Sequence, residues 1–181
     1  MVADSLVEQG AGQLINRNLG MSQGQDVVII VDEKTYEVGL VLEKAARNLA
    51  VRPTIILVPR EQQSNHHKNE PLPTPLSQAI TSAQGIANAV SDFTKGTGFR
   101  VAVLKEGQAV RCKIAHMPGL TKEMVASLAE TDYEFLEKGC AALQIPLLLG
   151  RDVLIITKDQ KGNRHELRLD LGGWDYPPIV S

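Results

Sequence analysis

Two short, continuously apolar, β-branched runs constrain this chain more than any other feature. Asp26-Val27-Val28-Ile29-Ile30-Val31-Asp32 and Pro53-Thr54-Ile55-Ile56-Leu57-Val58-Pro59 are too short for membrane spans and too rich in Val and Ile for loops. They lack polar alternation, so each reads as a strand covered on both faces. Between them, residues 34–49 place Val38, Leu40, Val41, Ala45, Ala46 and Leu49 at helical spacing. Strand, helix and strand in close succession make a βαβ unit, hence a parallel sheet with a right-handed crossover.

The rest of the chain extends that frame. Asp4 or Ser5 is expected to cap a first helix carrying Leu6, Val7, Leu14, Ile15 and Leu19, with Gly20 as its stop. Residues 60–75, punctuated by Pro71, Pro73 and Pro75, read as a polar surface loop. A helix from Leu76 to about Ala83 and a strand from Ile86 to Val90 follow. Phe99 to His116 is ambiguous: its β-branching favours a hairpin turning at Lys105-Glu106-Gly107-Gln108. A helix over 99–106 followed by a strand from Val110 to Ile114 is the other reading. Thr121 is a good N-cap. A further helix is expected from Asp132 to Leu143, with Pro146 and Gly150 interrupting the apolar stretch Ile145–Leu149. Asp152–Thr157 and His165–Leu171 flank a turn rich in Asp, Gly and Asn and read as a β-hairpin. The expected fold is α/β: three layers with a mostly parallel sheet, helices on both faces and a C-terminal hairpin, in one domain over 1–181.

Aromatic residues are 4% of the chain, so this core must be aliphatic. The net charge of -2, from 19 basic and 21 acidic residues, supplies no basic excess for phosphates and argues against a nucleic-acid partner. No apolar run reaches the roughly 18 residues of a membrane span, and no signal peptide opens the chain. A cytoplasmic protein is expected, with Cys112 and Cys140 as ordinary reduced thiols.

At Ala115-His116-Met117-Pro118-Gly119-Leu120-Thr121 the chain resembles the N-terminal domain of aminopeptidase-T-like metallopeptidases. The Ala-rich helix at Glu43–Asn48 and the hairpin from Val153 to Leu169 agree with that likeness. In that family the metal ligands lie in a second, C-terminal domain, so the resemblance transfers no ligand to this chain. It implies a fold and a link to peptides. Free-standing relatives that bind peptides in ribosomal-peptide natural-product pathways, such as those making crocagin-type products, are similar in length.

The chemistry-bearing residues are few. His66-His67 with Glu70 is the one compact metal-capable set, and adjacent extended residues chelate poorly, so no metal or other cofactor is expected. Thr94-Lys95-Gly96-Thr97-Gly98 matches neither phosphate-loop pattern and reads as a turn. His116, Cys112 and Asp92 are the weak candidates for catalysis. His116, Met117, Phe93, Thr94, Trp174 and Tyr176 are the candidates for peptide contact, the tail aromatics because Trp and Tyr anchor interfaces. A hairpin edge can accept an extended peptide or a second copy of itself, so a homodimer is expected. The leading expectation is a non-catalytic accessory protein binding a precursor peptide, with a modifying enzyme as a further partner. A metal-free cyclase and one subunit of a split metallopeptidase-like enzyme stay open.

Overall fold

The strand order β2-β1-β3-β4 follows from the βαβ unit at the head of the chain. In the computed structural model, which describes residues 3–67, 70–91 and 96–172, β1 is Asp26–Val31 and β2 Arg52–Leu57. β3 is Gly85–Asn88 and β4 Lys113–His116. All three pairings are parallel, with Asp26 opposite Arg52, Val27 opposite Gly85 and Gly85 opposite Lys113. This sheet and its helices form one unit, up to Thr131; residues from Asp132 onward form a second.

Side chains of β1 alternate between two cores. Val27, Ile29 and Val31 pack with α1 (Asp4–Gln13), α2 (Tyr36–Asn48) and α6 (Lys122–Ala129), through Val7, Leu42 and Val125. Val28 and Ile30 pack with α4 (Thr74–Ser82) and α5 (Thr97–Ala109), through Ile80, Phe99 and Val103. Helices thus cover both faces, as the continuous apolar runs require. Gly10 lets α1 lie against α6: a Cβ there would sit 1.8 Å from the Val125 carbonyl oxygen.

Several sequence expectations are corrected. The first helix is flanked by Ala3, without a side-chain cap, and Asp4 is its first residue; Leu14–Asn18 continues as a π-helical turn before Gly20, at φ +61°. β2 is an edge strand and only half-buried, so Pro53 sits in it without costing a ladder bond. Part of the expected loop at 60–75 is helical, α3 (Arg60–Asn65), and begins directly after Pro59. The hairpin reading of 99–116 fails: α5 runs to Ala109, and β4 follows. α5 begins at Thr97, so Gly96-Thr97-Gly98 opens a helix rather than a plain turn. Thr121 caps α6 as expected, its hydroxyl accepting from the Met124 amide at 3.2 Å.

In the second unit, α7 (Tyr133–Leu149) starts at Asp132, whose carboxylate accepts from the Phe135 amide at 2.9 Å. It continues through Pro146 to Leu149, farther than the expected end at Leu143. β5 (Asp152–Lys158) and β6 (Arg164–Asp170) form the expected antiparallel hairpin. Asp159 accepts three hydrogen bonds from Lys161 and Asn163 across the turn, and Gly162 supplies its positive φ of 84°. Among the described residues, no helix is long and apolar enough to cross a membrane.

Candidate functional site

In an open α/β sheet the default ligand crevice lies beyond the carboxyl ends of the strands, where the crossovers change direction. Here that point is between β1 and β3, and a hydrogen-bonded tie spans it. Asp32, fully buried just past β1, accepts from the Ser91 amide at 2.7 Å and the Ser91 hydroxyl at 2.6 Å through one oxygen. Its other oxygen takes the amides of Lys34 and Thr35 at 3.0 and 3.2 Å and the Thr35 hydroxyl at 3.2 Å. Burial alone would push this carboxyl up; the donors from Ser91, Lys34 and Thr35 outweigh it and hold it below the ordinary range. One strand over, Asn88 is fully buried, and neither atom of its side-chain amide has a hydrogen-bond partner among the described residues.

His116 and Met117 end β4 on this same side of the sheet. The Met117 amide donates to the Asn88 carbonyl at 2.8 Å, so both residues are fixed beside β3. His116 is held below the usual imidazole range, first by partial desolvation and then by the positive charge of Arg100. Its neutral form is thus favoured in the fold. The stability this gives is full above the ordinary value near 6.5 and is lost as pH falls through the folded value. NMR titration of the imidazole resonances is expected to place His116 below about 6.5.

Cys112 precedes β4 and His116 ends it, so the strand separates them by about 13 Å. Burial raises the Cys112 thiol, and its Sγ donates to the Ala83 carbonyl at 3.3 Å. The two are therefore not brought together as nucleophile and base. Asp92, Phe93, Thr94, Trp174 and Tyr176 lie outside the described residues. His66, expected on a solvated loop, is instead buried edge-on against Phe99, its Nδ1 3.8 Å from Glu70. No group of three or more metal-capable side chains occurs among the described residues.

The second unit has the opposite character. α7 buries no residue, and Phe135, Leu143, Ile145 and Leu149 are all exposed. In the hairpin the amide of Asp159 donates to the Asn163 carbonyl, and that of Leu171 to the Arg151 carbonyl. Odd-numbered residues therefore bond inward along the ladder. The even-numbered ones, 152–158 on β5 and 164–170 on β6, turn their amides and carbonyls outward. Val153, Ile155, Leu167 and Leu169 make one apolar face; the other carries the Arg168–Asp152 and Arg164–Glu166 ion pairs. Sequence reasoning named the hairpin but missed which backbone groups are free, a parity set by where the turn closes.

No protein-family model matches the chain, and no curated protein does. Among solved structures, 2,5-dihydroxypyridine dioxygenase from Pseudomonas putida KT2440 is similar at 13% identity and a TM-score of 0.55, over 93% of this chain and 48% of that one. AmpT from Thermus thermophilus matches at 12% identity and a TM-score of 0.49, over 89% of this chain and 58% of its own. The chain thus spans about half the length of the structures it matches. At this identity the dioxygenase likeness is one of fold, and the four-stranded parallel sheet flanked by helices, with its C-terminal hairpin, is an α/β architecture.

Proposed function

We propose that this chain is a non-catalytic accessory protein that binds an extended peptide, the precursor of a ribosomally made natural product, along the outer edge of β5. The observation that supports this is the row of outward amides and carbonyls on Asp152, Leu154, Ile156 and Lys158, with Leu154 and Ile156 exposed between them. Such an edge gives a peptide main-chain hydrogen bonds, and the flanking side chains give it preference. Separation of Cys112 from His116 favours binding over turnover. His116 and Met117, at the end of β4, one edge of the parallel sheet, are the competing contact point.

Ile156→Pro tests the site, because it removes an outward amide and leaves the β5–β6 ladder intact. Native mass spectrometry with a panel of synthetic linear peptides of the precursor type is expected to show one peptide per chain, unchanged in mass. Ile156→Pro should weaken it at least tenfold, and His116→Ala should not. The reverse pattern moves the site to β4. An altered peptide mass replaces binding with catalysis, and no adduct in any variant removes the reading.

A further inference from the structure

We infer that the free edge of β6 is a self-complementary interface, on which two copies of this chain pair antiparallel about a two-fold axis through Leu167. Arg164, Glu166, Arg168 and Asp170 carry the outward amides and carbonyls of β6. Among the described residues, no strand other than β5 pairs with β6. Antiparallel pairing of β6 with its copy must match outward groups to outward groups, so even-numbered residues face even-numbered ones.

The charge pattern then selects the register. With Leu167 opposite the partner's Leu167, Arg164 faces the partner's Asp170 and Glu166 faces the partner's Arg168. The two-fold repeats both, so every charged pair along the edge is of opposite sign. Sliding the partner by two residues one way sets Glu166 against the partner's Glu166 and Arg164 against the partner's Arg168. Sliding it the other way sets Arg168 against the partner's Arg168 and Glu166 against the partner's Asp170. Both neighbouring registers oppose like charges, which is destabilising on a sheet. β5 shows no such selection, since between Asp152 and Lys158 its outward positions are the uncharged Leu154 and Ile156.

Pairing also serves the apolar face. The hairpin leaves Ile155, Leu167 and Leu169 exposed, and two isolated strands are marginal in water. The two-fold makes a four-stranded sheet with Val153, Ile155, Leu167 and Leu169 of both copies on one continuous face. The peptide edge on β5 stays outermost, so this interface and the peptide reading stand or fall separately.

Reciprocal charge reversal tests it on the full chain. Glu166→Arg and Arg168→Glu each oppose like charges in the paired register, and each is expected to weaken self-association about tenfold or more in sedimentation equilibrium. Mixed together, the two variants restore opposite charges at both positions and should associate like the wild type. A second measurement fixes the register. In a Cys140→Ser background, Leu167→Cys is expected to form a disulfide dimer under mild oxidation, because opposed residues at that position lie within disulfide reach. Leu169→Cys, which faces the partner's His165, should not. A monomeric wild-type chain overturns the proposal, as do single variants that associate unchanged, a mixture that stays monomeric, or cross-linking equal at both positions.

Discussion

Asp32→Ala is expected to cost the first unit about 3 kcal/mol, more than most single changes, because it orphans several buried donors at once. The Ser91 amide and hydroxyl and the Thr35 amide and hydroxyl lose their acceptor together. Urea unfolding followed by circular dichroism measures this. The pH dependence follows from the depressed carboxyl. A group that loses its proton more readily in the fold contributes stability above its unfolded value near 3.9, and that contribution is lost as pH falls through the lower folded value. Wild-type stability should therefore drop on acidification below about pH 5, while Asp32→Ala should show a flatter acid limb over the same range. Equal acid limbs would show that folding does not lower the pKa of this carboxyl.

Gly10→Ala is expected to destabilise by about 3 kcal/mol, at the upper end for overpacking. The obstacle is the main-chain carbonyl of Val125, which cannot rotate aside as a side chain would, so α1 and α6 must separate. Gly12→Ala, on the same helix, meets nothing within 4 Å and should stabilise by roughly 0.5–1 kcal/mol, as alanine does in a helix interior. Opposite signs for the same chemical change two residues apart, read as thermal midpoints, would establish the α1–α6 contact. Matching signs would place α1 elsewhere.

The βαβ unit was legible because both its strands are continuously apolar, although only β1 is buried on both faces, while its helix buries one face at its own period. The hairpin at 152–171 was legible through its turn residues. α5 was not, because only Phe99, Val103 and Gly107 are fully buried, while β-branched Val101 and polar neighbours blur the helical period. α3 was hidden for a related reason: its buried residue is Gln63, whose amide donates to the Val58 carbonyl at 2.8 Å, and a polar core residue leaves no apolar signal. At the candidate site, His116 and Met117 were readable from a local motif. The tie between Asp32 and Ser91 joins two loops far apart in sequence and could be seen only once β1 and β3 were side by side. Edge parity on β6 needed the position of turn closure, which places Asp159 against Asn163.

The strand order also has a consequence in time. β1 pairs on one side with β2, Asp26 against Arg52, and on the other with β3, Val27 against Gly85. The second closure spans about twice the chain of the first, which adds about 0.6 kcal/mol of loop entropy, and it cannot begin until Gly85–Asn88 has been made. On a chain emerging from a ribosome, the βαβ unit can form early while the other flank of Val27–Val31, among the most apolar backbone in the protein, waits uncovered. Assembly is therefore most vulnerable during the synthesis of residues 58 to 88, and a holdase recognising β-branched segments would act in that interval.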